Sequence, residues 1–91
     1  MNLTIVGTGY VGLVTGACFA EFGYSVTCID KDSERLEKLK SGTSPFFEPG
    51  MDMLLDKHIN KTKLLSFASS IKNNSENTDI FFITVGTPTR R

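Results

Sequence analysis

Short apolar runs and longer amphipathic stretches alternate along the first half of the chain. Leu3–Val6 is an apolar run rich in β-branched residues that ends at Gly7, a pattern typical of a strand buried on both faces. Residues 10–22 carry small and apolar side chains at helical spacing, and Gly23 follows at the position that commonly ends a helix. One predicted stripe of this helix consists of Val11, Val14, Cys18 and Phe22, with Leu13, Ala17 and Ala20 beside it.

A second strand and a second helix follow in the same order. Residues 25–29 predict the strand, and Asp30 ends it. Either Asp32 or Ser33 can cap the next helix, which ends before Gly42 with lysines in its last turn. The order strand, helix, strand, helix predicts a parallel sheet.

The second half of the chain is less regular. Residues 43–50 contain two prolines and predict a loop with a fixed course. Residues 51–59 fit a short amphipathic helix, and residues 63–67 fit a third strand. Residues 80–85 are nearly continuous in apolar side chains and predict the strongest strand, which the turn at residues 86–88 ends. The predicted class is therefore α/β, with about four strands of a parallel sheet.

Composition narrows the range of functions. The chain has 91 residues, which suits one small domain, and its formal net charge is zero, which offers no electrostatic footprint for nucleic acid or an anionic membrane. Two cysteines cannot build a disulfide scaffold or fill a tetrahedral metal site. The first residues carry no basic group, as a secretory signal would, and glycines interrupt the apolar run that follows. We expect a cytoplasmic protein without metal, membrane or nucleic-acid partners.

A glycine pattern between the first strand and the first helix is the main indication of a binding site in the sequence. Gly7, Gly9 and Gly12 form G-x-G-x-x-G, in which the first glycine permits a tight turn, the second lets backbone approach a pyrophosphate and the third allows close helix packing. The helix N-terminus offers N–H groups and a positive dipole end to phosphates. Asp30 follows about 18 residues after Gly12, where a carboxylate accepts hydrogen bonds from an adenosine ribose. The alternative is a glycine-rich turn that binds nothing.

The same aspartate indicates which dinucleotide binds. A carboxylate at Asp30 repels a 2′-phosphate, so NAD is favoured over NADP. Arg35 is the one residue that argues otherwise, because a guanidinium can accept that phosphate; its other interpretation is a solvated helix residue near Asp32.

Four further residues invite a chemical role but have a structural interpretation. Cys18 and Cys28 fall on a helix stripe and inside a strand, as small core residues do. His58 lies on an apolar helical face without a second metal ligand, which places it at the margin of the core. Glu48 could face a ligand, but its position before a predicted helix explains it equally well. None is predicted to be catalytic.

Several blocks together resemble the N-terminal domain of the UDP-glucose/GDP-mannose dehydrogenase family, over essentially the whole chain. The blocks are residues 6–13, 16–18 and 29–32, the loop from Gly42 to Gly50, and residues 85–88. The resemblance implies a Rossmann-like, doubly wound parallel sheet, of which residues 1–91 are the first half. It also implies NAD as cofactor, with the Val11 backbone at the pyrophosphate, Asp30 on the ribose, a basic contact at Arg35 and Thr87 beside the cofactor. Together with the glycine pattern, the predicted cofactor-binding residues are Gly7, Gly9, Tyr10, Val11, Gly12, Asp30, Arg35 and Thr87. On local sequence alone, Thr87 belongs equally well to a turn facing the glycine loop or to a plain turn.

The family oxidises the 6-hydroxyl of a nucleotide sugar twice, with two NAD. Within it, the sequence is most similar to the enzymes that oxidise UDP-glucose to UDP-glucuronate. The family's catalytic cysteine and lysine belong to segments beyond Arg91, so the resemblance implies a truncated domain without the substrate domain, inactive alone. The alternative is a stand-alone, non-catalytic dinucleotide-binding or association module, which could use the open edge of the last strand to self-associate.

Overall fold

A parallel sheet and the helices that connect its strands form the described part of the chain. The structure is a computed structural model that describes residues 1–44, 49–71 and 77–84. Its strands are β1 (Asn2–Val6), β2 (Ser25–Ile29), β3 (Leu65–Ala68) and β4 (Ile80–Ile83). Its helices are α1 (Tyr10–Glu21), α2 (Ser33–Lys40), α3 (Met51–Asp56) and a π-helical turn at Lys57–Lys61 that continues α3. Within the described ranges no helix is long and apolar enough to cross a membrane.

The strand order is β3-β2-β1-β4, and all neighbours are parallel. Ile5 in the middle of β1 pairs with Cys28 on one side and with Phe82 on the other. The chain proceeds outward from β1 through β2 to β3 and then crosses to the opposite side of β1 to form β4. The order therefore reverses at the β1–β4 pair. The parallel sheet with connecting helices confirms the predicted α/β class.

The buried face of α1 differs from the predicted stripe. The buried residues are Gly12, Leu13, Gly16, Ala17 and Ala20, whereas Val11, Cys18 and Phe22 are exposed. The prediction that Cys18 is a core residue was wrong, and that for Cys28, which is fully buried, is confirmed. The physical reason is close packing. A Cβ added to Gly16 would lie 3.0 Å from Cys28 Sγ, so small residues must face the sheet.

The helix ends follow the predicted chemistry. Asp32, rather than Ser33, caps α2, because its side chain accepts a hydrogen bond from the Arg35 N–H. Gly23 follows α1 with φ +99°, a conformation that glycine adopts without a Cβ penalty. The third strand begins two residues later than predicted, at Leu65.

His58 lies inside the core and not at its margin, which corrects the prediction. Its side chain is 2% exposed, with Nε2 2.7 Å from Glu21 Oε1 and Nδ1 2.9 Å from Thr62 Oγ1. Lys57 Nζ also lies 3.3 Å from the Glu21 carboxylate. These contacts join the C-terminal end of α1 to the π-helical turn and satisfy both ring nitrogens of the buried histidine.

β4 forms one edge of the described sheet and carries exposed apolar side chains. Ile83 is 67% exposed, and Ile80 and Phe81 are about two-fifths exposed. The predicted continuation to Val85 and the turn at residues 86–88 lie outside the described residues.

Candidate functional site

The turn between β1 and α1 is held tightly by backbone hydrogen bonds. Gly7 has φ +106°, which favours glycine, and its N–H donates to the Ile29 carbonyl at 2.7 Å. Thr84, directly after β4, donates its hydroxyl to the carbonyls of Val6 and Gly7, each at 3.0 Å. A Cβ on Gly12 would collide with the Gly7 carbonyl and with Thr84 Oγ1. The first and third glycines therefore serve the tight turn and the close packing that the pattern predicts.

The second glycine leaves the N-terminus of α1 open. Gly9 is the N-cap residue and offers no side-chain cap, and the first turn holds no acidic residue. The first intrahelical hydrogen bond joins the Leu13 N–H to the Gly9 carbonyl, so the N–H groups of Val11 and Gly12 have no acceptor within the helix. A Cβ on Gly9 would meet nothing within 4 Å. This space, facing N–H groups at a positive helix end, suits an anion such as a pyrophosphate.

Asp30 lies at the end of β2 and reaches across to this turn. Its Oδ2 accepts hydrogen bonds from the N–H of Thr8 at 2.9 Å and from the Thr8 hydroxyl at 2.5 Å. Its Oδ1 accepts the Asp32 N–H at 2.9 Å. Arg35 Nη1 lies 3.5 Å from Oδ2. The second helix thus brings a guanidinium to the Asp30 carboxylate, while the backbone N–H of the same residue bonds to Asp32 as the sequence interpretation expected.

These contacts keep Asp30 ionised. Partial burial raises the pKa of the carboxyl, but the hydrogen bonds from the Thr8 hydroxyl, the Asp32 N–H and the Thr8 N–H, together with the charge of Arg35, lower it more. The net pKa lies below the ordinary value of an aspartate. At neutral pH the site therefore presents a carboxylate that accepts hydrogen bonds and repels a second anion.

A cleft of about 510 Å³ opens at the carboxyl ends of β1, β2 and β3. This is the size range of pockets for small molecules and cofactors. Its wall combines apolar side chains at the strand ends with one carboxylate, one lysine and two serines, a mixture that suits an adenosine. The lining residues are Val6, Gly7, Ile29, Asp30, Lys31, Ser69, Ser70 and Ile71.

Most of the predicted site residues come together here. Gly7 and Asp30 line the cleft, Gly9 and Gly12 form the adjoining turn, and Arg35 pairs with Asp30. Tyr10 and Val11 begin α1 and are at least half exposed. Thr87 and Glu48 lie outside the described residues.

Sequence reasoning missed three groups that the fold adds to the site. Thr8 occupies a variable position of the glycine pattern, and Thr84 follows β4 directly. Residues 69–71 follow β3, and their placement requires only the rule that carboxyl ends of parallel strands share one edge. These residues begin a largely polar stretch, residues 69–77, and this composition hid that signal.

Neither cysteine belongs to this site. Burial raises the pKa of the Cys28 thiol to about 12, so it stays protonated and unreactive. Cys18 is exposed on α1. Among the described residues no group of three or more histidine, cysteine, aspartate and glutamate side chains could hold a metal ion.

Comparison with known proteins gives one consistent result. Residues 1–91 match the family described as "UDP-glucose/GDP-mannose dehydrogenase family, NAD binding domain". The chain is 46% identical over 91 residues to UDP-glucose 6-dehydrogenase of Rhizobium meliloti, covering 100% of the chain and 21% of that protein. It is 47% identical over 88 residues to UDP-glucose 6-dehydrogenase YwqF of Bacillus subtilis, covering 97% of the chain and 20% of that protein.

The fold agrees with that match. A solved GDP-mannose dehydrogenase from Pseudomonas aeruginosa superposes with a TM-score of 0.92 at 35% identity, over 100% of this chain and 21% of the other. The chain thus spans about a fifth of the length of the relatives it matches. A Rossmann-like parallel sheet with a glycine turn, an open helix N-terminus and an acidic residue after β2 is what a domain of this kind requires. This chain belongs to the UDP-glucose/GDP-mannose dehydrogenase family of oxidoreductases and matches its NAD-binding domain.

Proposed function

We propose that the cleft and the adjoining glycine turn hold NAD, with Asp30 receiving the adenosine ribose. The observation that carries this proposal is the position of the Asp30 carboxylate, which lines the cleft and bonds to the turn that begins α1. An ionised carboxylate at the end of β2 accepts ribose hydroxyls and disfavours a 2′-phosphate. NAD, when bound, supplies the hydride acceptor for oxidation of an alcohol.

The remaining predicted residues take roles along the dinucleotide. Gly9 leaves room for the pyrophosphate, and the backbone of Tyr10 and Val11 lies at the positive end of α1. Arg35 pairs with Asp30 and adds a basic contact near the ribose. The family resemblance adds Thr87 beside the cofactor.

Titration followed by amide NMR tests this placement. With NAD added, we expect chemical-shift changes to concentrate at residues 7–12, at residues 30–32 and at residues 69–71, because these segments form the turn and line the cleft. The amides of the π-helical turn at residues 57–61, which lies away from the cleft lining, serve as an internal control. Saturable changes centred on the control segment would contradict the proposed site.

We propose further that the protein to which this domain belongs oxidises UDP-glucose to UDP-glucuronate with two NAD. Support comes from the names of the two curated relatives, both called UDP-glucose 6-dehydrogenase. The similar solved structure is called a GDP-mannose dehydrogenase, so the test must compare both nucleotide sugars. The relatives are about five times longer than this chain. Following the family resemblance, we place the catalytic cysteine and lysine and the substrate domain in segments of the whole protein outside these 91 residues.

An activity comparison separates the substrates. The 91-residue chain with NAD and either nucleotide sugar should form no NADH, because it lacks the groups that position a sugar carbon against the nicotinamide. A full-length enzyme built on this domain should form two NADH per UDP-glucose and turn over GDP-mannose much more slowly. Preference for GDP-mannose, or one NADH per sugar, would overturn the substrate assignment.

The exposed edge of β4 favours a second candidate, a non-catalytic association module. Ile83 and Phe81 expose apolar surface on an edge strand, the arrangement that pairs with another chain. In this reading two copies of the chain associate through β4.

Replacing one exposed side chain tests that association. Ile83→Lys places a charge on the β4 edge, so we expect self-association, measured by light scattering during gel filtration, to be lost. Met53→Lys is the matched control, because Met53 is 79% exposed on α3, away from the sheet edge. A wild-type chain that stays monomeric, or an equal effect of both substitutions, would remove this candidate.

A further inference from the structure

Thr8 saturates one oxygen of the Asp30 carboxylate. Both the N–H and the hydroxyl of Thr8 point at Oδ2, at 2.9 and 2.5 Å. Thr8 is fully buried, so water does not compete for its hydroxyl. A carboxylate oxygen has about two lone-pair positions for hydrogen bonds, and Thr8 fills both of those on Oδ2. Arg35, at 3.5 Å, adds an ion pair to the same oxygen.

The other carboxylate oxygen, Oδ1, accepts one hydrogen bond where it could accept two. Oδ1 accepts the Asp32 N–H at 2.9 Å and has no second donor among the hydrogen bonds of the described residues. The donors of residues 1–44, 49–71 and 77–84 thus leave one acceptor position on Asp30, and it belongs to Oδ1. The carboxylate plane is fixed by three protein donors before any ligand arrives.

The backbone on both sides of Thr8 is itself fixed. Gly7 is bonded through its N–H to β2 and through its carbonyl to Thr84, and Gly9 begins α1. Thr8 therefore connects the orientation of Asp30 to the position of the helix N-terminus. The ribose and the pyrophosphate of a dinucleotide would therefore contact protein groups whose spacing is fixed before binding. This reduces the entropy cost of ordering those protein groups when the ligand binds.

We propose that Thr8 is a positioning residue for the dinucleotide: it locks the Asp30 carboxylate so that Oδ1 presents a single acceptor to the adenosine ribose. This inference rests on the proposed function, in which Asp30 receives that ribose. It assigns to a variable position of the glycine pattern a role that the pattern itself does not specify.

Substitution of the hydroxyl tests the proposal. Thr8→Val keeps the shape and the N–H but removes one donor to Asp30, and we expect NAD affinity, measured by calorimetry, to fall about tenfold. Thr8→Ser restores the hydroxyl and should bind within about threefold of wild type. In an Asp30→Asn background, Thr8→Val should cause no further loss, because the two residues act as one unit.

Thr4→Val is the matched control. Thr4 is also a buried threonine, on β1, but its hydroxyl pairs with Thr78 Oγ1 at 2.6 Å and not with Asp30. This variant should bind NAD like wild type even if it loses stability. Equal losses of affinity in Thr4→Val and Thr8→Val would show a general structural effect and overturn the proposal. If Thr8→Val does not fold, Thr8→Ala removes the same hydroxyl without placing a methyl group against the carboxylate.

A measurement without NAD separates this inference from the proposed function. Carbon NMR of the Asp30 carboxyl should show its pKa rise in Thr8→Val and stay low in Thr8→Ser and Thr4→Val. An unchanged pKa in Thr8→Val would refute the locking role whatever NAD does. If wild type binds no NAD while the pKa rises as expected, the proposed function fails and the contact between Thr8 and Asp30 stands without a role in binding.

Two NAD analogues test whether Asp30 Oδ1 offers only one acceptor position to the adenosine ribose. Analogues lacking either the 2′- or the 3′-hydroxyl of the adenosine ribose should differ, one binding at least about tenfold more weakly than NAD and the other within about threefold. Equal weakening by both would contradict a single free position on Oδ1.

Discussion

We expect Asp30 and Arg35 together to decide which dinucleotide the cleft accepts. The carboxylate neutralises the guanidinium at 3.5 Å and is itself held ionised by Thr8 and Asp32. Asp30→Ser removes the negative charge and frees Arg35 for a 2′-phosphate, so we expect the ratio of the NADP and NAD dissociation constants to fall at least about tenfold. Competition titration measures that ratio.

Asp32→Ser is the matched control for this change. It removes an equal charge two residues away and keeps a good helix cap, since serine serves at that position as well as aspartate. The ratio should stay at the wild-type value. An equal shift in both variants would mean that the general charge near the cleft, and not Asp30 itself, sets the preference.

The glycines of the turn have separable roles. Gly12→Ala drives a Cβ into the Gly7 carbonyl and Thr84 Oγ1, and we expect the free energy of unfolding, measured with urea, to fall by about 1–3 kcal/mol or more. Gly9→Ala meets nothing within 4 Å at φ −67°, so stability should change by less than about 1 kcal/mol while NAD affinity falls. A stable Gly12→Ala, or a Gly9→Ala with unchanged affinity, would contradict these assignments.

At the scale of elements, the sequence pattern predicted the extent of α1 but not which of its faces is buried. Helical spacing predicted the extent of α1 correctly to within one residue. The predicted neighbouring stripe of Leu13, Ala17 and Ala20 is buried, whereas Val11, Cys18 and Phe22 of the first stripe are exposed. The sheet approaches so closely at Gly12 and Gly16 that only small residues fit, and Val11 and Phe22 face outward. Apolar character alone cannot reveal this distance, because it depends on strands that are remote in the sequence.

The buried His58 and the carboxylate of Glu21 link α1 to the π-helical turn. The hydrogen bond from His58 and then that from Lys57 hold the pKa of Glu21 below its ordinary value. A lowered pKa means that folding favours the ionised carboxylate, so this stabilisation is complete above the ordinary glutamate pKa and is lost as pH falls through the folded value. Urea unfolding of wild type and Glu21→Gln should therefore differ most near neutral pH and converge in acid.

Glu37→Gln is the control for that pH dependence. Glu37 is exposed on α2, and the described residues give it no ion pair. The free energy of unfolding of this variant should depend on pH as that of the wild type does. A constant difference between wild type and Glu21→Gln at every pH would contradict the ionic contribution.

At the scale of the whole molecule, the class and the cofactor region could be predicted because they depend on order along the chain. The glycine pattern after β1 and Asp30 after β2 are local signals, and parallel strands bring them to one edge. Thr8 and Thr84 could not be assigned, since their contacts arise only when the ends of β1, β2 and β4 converge. Residues 69–71 could have been placed from the rule that the carboxyl ends of parallel strands share one edge. The burial of His58 depends likewise on a partner 37 residues away.

Calorimetric titration of the 91-residue chain with NAD and NADP tests the central claim most directly. We expect one saturable NAD site per chain, weaker binding of NADP, and an NAD affinity that is at least about tenfold lower, but still measurable, in Asp30→Asn. Absence of saturable NAD binding by a folded chain, or undiminished binding by Asp30→Asn, would contradict that claim.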